Sequence, residues 1–189
     1  MEYAPDKKEI KLDRILSNLD KFVLKFIKVL EKHVDYVIVS GYVSILLGRT
    51  RATEDVDLLI SEMSKKKFES FWIDITKNGF WCVNTSDFFE AFDMLKDHAI
   101  RFARGKIPVP NIEFKIMKTD LDIYSFKNRI KVILDSEEMF ISPLEMQIAF
   151  KLFLASDDTD DGEFQSDKDI EDARHLYQTF KEKINKEEL

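Results

Sequence analysis

Two aspartates one residue apart, Asp55 and Asp57, open a run that reads as a buried strand, Asp55–Ile60. Successive strand side chains point to opposite faces, so the two carboxylates share one face while Val56 and Leu58 point into a core. Like charges held that close repel, and a cation between them relieves the repulsion. Oxygen ligands with few neighbours suit Mg²⁺. The residues just upstream are organised to serve such a site. Residues 37–39 form a short β-branched strand, Ser40-Gly41 break it, residues 42–47 form one short helix, and Gly48 ends it. A polar loop carrying Arg49, Arg51 and Thr53 then leads into Asp55.

A Ser-Gly turn, thirteen intervening residues and then Asp-Val-Asp on a strand resembles the signature of the nucleotidyltransferase superfamily, the polymerase-β-like fold. Within it the chain looks most like the toxin-type branch related to the AbiEii family. The usual pattern opens with Gly-Gly or Gly-Ser, whereas the first position here is Ser40. A second stretch carries the likeness further. Ser142-Pro143-Leu144-Glu145, then Lys151, then Lys168-Asp169-Ile170-Glu171-Asp172 look like that branch's Ser-Pro-Glu turn, inward lysine and basic-Asp-x-x-Asp helix.

The resemblance implies transfer of a nucleoside monophosphate from an NTP, ATP among the candidates, to an acceptor hydroxyl on tRNA, a protein or a metabolite. It also implies a possible role as the toxin of a two-gene pair with a cognate antitoxin; a catalytically silent nucleotide- or partner-binding regulator is the alternative. Phosphoryl transfer asks a protein mainly to position the triphosphate, the metals and the acceptor. Two Mg²⁺ ions would need three converging carboxylates, of which Asp55 and Asp57 supply two. Gly41 lets backbone N–H groups reach phosphates, Ser40 or Ser44 can add a hydroxyl, and Arg49 and Arg51 can clamp phosphate oxygens. Taken alone, such a turn is more often just a turn and such an arginine pair more often surface. Lys151 either reaches the nucleotide from the helical side or makes a buried ion pair with Asp169 or Asp172.

The third carboxylate has two candidates. Glu113, in Ile-Glu-Phe, lies on a cleanly alternating strand whose polar face also carries Lys115, a plausible phosphate partner. Asp122, in Leu-Asp-Ile, follows a turn-like Lys-Thr-Asp and is the alternative. Glu113 is preferred, as metal ligand and acceptor of the substrate proton.

The elements that must position these groups follow from periodicity. A long amphipathic helix is expected after Pro5-Asp6 and within residues 1–34, with Ile15, Leu16, Leu19, Phe22, Val23, Phe26, Ile27 and Leu30 on one stripe. An α/β core spans 35–135: a helix 65–78 capped by Ser61 or Ser64, a strand 80–83, a helix 87–96 capped by Ser86, and strands at 98–104, 111–117 and 129–134. Residues 121–124 are ambiguous. A helical lobe spans 138–189, with a helix from Ser142 to about residue 155 that is apolar nearly all round and therefore buried, and a last helix at 167–183. Residues 157–163, Asp-Asp-Thr-Asp-Asp-Gly-Glu, read as an acidic loop; a calcium loop would need Glu where Lys168 stands. The fold class is α+β: a mixed, twisted sheet of about five strands, helices on one face, and the C-terminal helical lobe, all in one domain.

Composition bounds the rest. Sixteen Phe in 189 residues point to a dense interior. A single Cys82 allows no internal disulfide and three scattered His no ordinary zinc site, which fits a cytoplasmic protein. No apolar run approaches a membrane span, and the first residues are charged rather than signal-like. A net charge of −7 argues against nonspecific coating of nucleic acid. Residues 101–131 nonetheless carry eight Lys or Arg against three acids, a local excess suited to a nucleotide or an RNA.

Overall fold

The alternation of apolar and acidic residues in Asp55–Ile60 builds the centre of the molecule. A computed structural model describes residues 1–156 and 165–185. In it, β4 (Asp55–Ile60) lies between β3 (Tyr36–Val39), antiparallel to it, and β7 (Asn111–Ile116), parallel to it. β6 (Ile100–Arg104) and β5 (Phe80–Cys82) extend the sheet beyond β7. On the other side follow β9 (Glu137–Ile141), β8 (Ile130–Leu134), β2 (Glu9–Leu12) and β1 (Glu2–Ala4). The order is β1-β2-β8-β9-β3-β4-β7-β6-β5, nine strands among the described residues rather than about five.

The extra strands have identifiable causes. Glu9-Ile10-Lys11-Leu12 is short and half charged, but Ile10 is fully buried and pairs in parallel register with Val132. The N-terminal segment is therefore not a helix throughout. Its helix, α1 (Asn18–Leu30), starts at a capping box in which Ser17 and Asp20 satisfy each other's backbone N–H groups. β9 was hidden behind a two-residue hairpin: Asp135 and Ser136 both adopt positive φ, as a type I′ turn requires.

The phenylalanines fill one face. Phe26 of α1 meets the rings of Phe71, Phe80, Phe102 and Phe114. Phe71, on α3 (Lys65–Lys77), stacks on Phe114 with centroids 5.3 Å apart. Phe88 and Phe92 of α4 (Phe88–Asp97) close over Phe68, but Phe89 points outward. Asp87, not Ser86, caps α4, accepting from the Glu90 N–H at 2.9 Å.

The opposite face is not bare. Residues 121–124 belong to a helix, α5 (Asp120–Lys127), which together with α6 (Leu144–Ser156) faces Asp57, Leu59 and Lys115 across one cavity. α6 begins at Leu144, and the Ser142 hydroxyl donates to Gln147 rather than capping the helix. Nor is α6 buried all round: Leu144 and Ile148 are covered, whereas Phe153 is 60 % exposed and Leu152 50 %. Only the side against the sheet and α7 (Gln165–Phe180) is packed. The acidic loop at 157–163 lies outside the described residues, and no described helix is long and apolar enough to cross a membrane.

α2 (Gly41–Leu46) is pinned from beneath by the α1 cap. Asp20, 1 % exposed, accepts from Arg14 at 2.6 and 3.0 Å, from Ser17 and from the Tyr42 hydroxyl at 2.7 Å. Burial works to raise the Asp20 pKa, but those hydrogen bonds outweigh it and bring it from 3.8 to about 2. A depressed carboxylate contributes stability that is complete above its unfolded pKa and lost as pH falls through the folded one. Wild type should therefore lose its advantage over Asp20→Asn by about 2 kcal/mol as pH falls from about 4.5 to 2. Thermal melts of both proteins across that range check this, and a constant difference would show that Asp20 is not the titrating group.

Candidate active site

β4 and β7 run parallel in a register that sets Asp57 opposite Glu113 and Leu59 opposite Lys115. One Lys115 ammonium serves both acids. Its Nζ lies 3.1 Å from Asp57 Oδ1 and 2.5 Å from Glu113 Oε1, while Arg101 of β6 holds Glu113 Oε2 at 2.7 Å. Asp55 stands two residues along the same face, exposed, accepting from the Thr53 hydroxyl at 3.2 Å.

The charges in this cluster pull on one another. Burial pushes the Asp57 pKa up, Lys115 offsets only part of that, and Glu113 and Asp55 add to it. Burial also works against the Glu113 carboxylate, yet Lys115 and Arg101 outweigh it and leave its pKa lowered. Lys115 is held above its ordinary value because Asp57 and Glu113 overcome its own desolvation.

The donors fit Mg²⁺ in kind, as carboxylate oxygens on one face. In position, two of the three are drawn to a single cationic nitrogen: Lys115 stands between Asp57 and Glu113, rather than between Asp55 and Asp57 where the sequence placed a cation. Among the described residues no three His, Cys, Asp or Glu side chains are close enough to share one ion. The other candidate, Asp122, lines the same cavity but caps α5: its carboxylate accepts from the Lys118 and Thr119 N–H groups at 3.0 and 2.9 Å.

The Ser40-Gly41 turn borders this cluster under strain. Ser40 has φ 64° and ψ −139°, a region that essentially only glycine visits without cost. Gln147 of α6 holds it there. Its Nε2 donates to the Ser40 carbonyl at 2.5 Å, and its Oε1 accepts from the Ser40 N–H at 3.2 Å and from the Ser142 hydroxyl at 2.7 Å. Gly41 is needed for a different reason. A Cβ there would lie 2.5 Å from Arg51 Nη2. Ser44 is fully buried inside α2, its hydroxyl without a partner, and so does not reach the cavity.

The expected phosphate clamps point elsewhere. Arg51 makes a two-pronged contact with Asp172 of α7 at 3.0 and 2.8 Å, and Arg49 stands 3.6 Å from the same carboxylate. Lys151, 3 % exposed at its side chain, lies 2.5 Å from Asp169 and 3.3 Å from Asp172. The structure thus places Lys151 in the buried ion pair and turns both arginines toward α7, behind the turn.

No family model and no curated protein matches the chain. Solved structures do match. An antigenic nucleotidyltransferase-like protein from Paracoccidioides brasiliensis aligns with TM-score 0.57 and 18 % identity over 84 % of this chain and 75 % of that one. The solution structure of the antibiotic-resistance factor ANT(2'')-Ia aligns with TM-score 0.55 and 13 % identity over 86 % and 85 %. A crystal structure of ANT(2'')-Ia with adenylyl-2''-tobramycin aligns with TM-score 0.54 and 14 % identity over 86 % and 90 %. The fold is a nucleotidyltransferase fold. At these identities the likeness concerns the fold alone.

On that fold β4 and β7 floor a cavity of about 590 Å³ with Asp57, Leu59, Lys115 and Ile116, while Asp55 and Glu113 lie outside its lining. Its far wall is apolar, with Met146, Phe150 and Leu154 from α6. Sequence reasoning singled out Lys151 in this apolar helix and passed over Gln147, although an amide in such a helix carries the same signal. His98 also lines the cavity and was missed, having no pattern around it.

Two stability measurements test this geometry. Ser40→Gly should raise the unfolding free energy measured in urea by about 1 kcal/mol, the strain relieved less the flexibility gained, and a lower value would show that Ser40 is unstrained. Lys151→Ala should destabilise by about 3–5 kcal/mol, because it leaves the buried Asp169 carboxylate without its ammonium, while Asp172 keeps Arg51. A stable Lys151→Ala protein would contradict the buried pair.

Proposed function

We propose that this chain is a Mg²⁺-dependent nucleotidyltransferase that moves NMP from an NTP to an acceptor hydroxyl, releasing pyrophosphate. The observation that carries the reading is the in-register Asp57–Glu113 pair, with Asp55 beside it and a strained turn at its edge, on a nucleotidyltransferase fold. Asp57 and Glu113 would hold the first ion and Asp55 would contribute to a second. Bound there, Mg²⁺ would neutralise charge on the phosphates and on the attacking and leaving oxygens.

The chain's own groups do the remaining work. Lys115 is placed to pair with phosphate oxygens, and the Ser40-Gly41 backbone, braced by Gln147 and Arg51, sets where those phosphates rest. The acceptor oxygen forms its bond to the α-phosphorus as the bond from that phosphorus to the β-bridging oxygen breaks. Glu113, kept ionised by Lys115 and Arg101, takes the acceptor proton. The apolar wall of the cavity suits a base or a small organic acceptor. ATP as the donor, tRNA or a protein as the acceptor, a toxin role with an antitoxin partner, and a cytoplasmic setting rest on the sequence resemblance.

One observation favours a second reading, a catalytically silent nucleotide-binding protein. Lys115 already occupies the carboxylate pair, and no three carboxylates converge among the described residues.

Each α-labelled NTP, incubated with the protein, Mg²⁺ and either total RNA, cell extract or a metabolite pool, separates the two. Transfer of label is expected. Asp57→Asn should reduce it at least about 100-fold, since even outer partners of a metal ligand commonly cost 10–100-fold. Absence of label with every NTP, alongside a ligand-dependent rise in melting temperature, would favour the silent reading.

A further inference from the structure

Lys115 stands where an ion would have to stand. Its ammonium binds Asp57 Oδ1 and Glu113 Oε1 and leaves Glu113 Oε2 to Arg101. The division of oxygens has a consequence. If Lys115 withdraws, exactly one oxygen from each acid is freed toward the same point, and Arg101 still orients Glu113. Lys115 can withdraw, because its side chain is 37 % exposed on a flexible four-carbon stem that lines the cavity. Arg101 reaches Glu113 from the neighbouring strand, and these two lie beside the cavity rather than in its lining, to which Asp57 and Lys115 contribute.

We propose that Lys115 is a built-in counter-ion that couples metal to nucleotide: it holds the carboxylates of the free protein and exchanges them for the nucleotide's phosphates when a divalent ion arrives. The proposal rests on the reading of Asp57 and Glu113 as metal ligands. Two cations cannot share the gap, so a divalent ion alone must displace Lys115 into water and gains little. With a triphosphate present, the displaced ammonium finds a new anionic partner. Each ligand therefore strengthens the other, by a factor that linkage makes equal in both directions. The free protein is protected meanwhile from the repulsion of two acids facing each other across adjacent strands.

Mn²⁺ binding, followed by loss of the free-ion electron paramagnetic resonance signal, tests this without any turnover. Wild type, Lys115→Met and Asp57→Asn are titrated with Mn²⁺ alone and with a nonhydrolysable NTP. Methionine keeps the length and apolar body of the lysine stem, and a melting curve of each variant confirms folding. In wild type the NTP should tighten Mn²⁺ binding by about 5- to 150-fold, the usual span of site coupling. In Lys115→Met, Mn²⁺ alone should bind at least about tenfold tighter than in wild type, and the gain from NTP should shrink by a similar factor. Lys115→Met binding Mn²⁺ alone no tighter than wild type, while Asp57→Asn loses the site, would overturn the counter-ion role and leave the metal site standing. Mn²⁺ binding that Asp57→Asn leaves unchanged would remove the metal site itself, and the coupling with it.

Discussion

The central constraint in this protein is electrostatic. Parallel pairing of β4 with β7 puts Asp57 directly opposite Glu113, and like charges opposed across a ladder destabilise a sheet. The two strands tolerate this because cations converge on the same face, Lys115 from the strand that carries Glu113 and Arg101 from the next. Behind that face, Val56, Leu58, Ile112 and Phe114 are fully buried, so the register cannot slip by one residue without turning charge into the phenylalanine core. Apolar packing thus holds in place an acidic pair that would otherwise separate.

A second electrostatic node ties the helical lobe to the turn. Asp172, fully buried on α7, meets Arg51, Arg49 and Lys151, and Arg51 in turn lies so close to Gly41 that a side chain there would have to displace its guanidinium. From the other side Gln147 of α6 clamps both polar groups of the Ser40 peptide unit. The strained turn is therefore over-determined. An amide and a guanidinium from distant segments fix a backbone conformation that serine would leave on its own. Beneath it, Tyr42 runs a hydrogen bond into the Arg14–Asp20 pair, so the first twenty residues also bear on where the turn sits.

This arrangement makes the cavity a junction of three parts of the chain. The sheet supplies Asp57 and Lys115, α5 and α6 supply the opposite wall, and α7 steadies the arginine loop without lining the cavity. Motion of α6 against the sheet would reach Ser40 through Gln147.

Much of the frame was legible in residue order. The alternation in Asp55–Ile60 and Asn111–Ile116 announces two half-buried strands with their acids on one face, and Ser64 and Gly79 mark the ends of α3. Periodicity of this kind is local, so it survives in a one-dimensional reading. The edge strands were not legible, because β1 and β2 are short: β2 becomes a strand by pairing with β8 across more than a hundred residues, and β1 by pairing with β2. The start of α1 was available in principle, since Ser17 and Asp20 spell a capping box, but the apolar stripe drew the helix too far upstream. The partners of the cations were decided in the tertiary structure, which for Lys151 chose the ion pair from two readings the sequence had left open. A lysine or arginine in the sequence announces a charge, and only the folded chain decides which carboxylate it meets: Lys115 found Asp57 across the ladder and Glu113 on its own strand, Arg51 found Asp172 from another lobe, and Lys151 found Asp169 and Asp172 on the next helix. Long flexible side chains choose partners by proximity in space, and residue order alone carries no distance between segments that far apart.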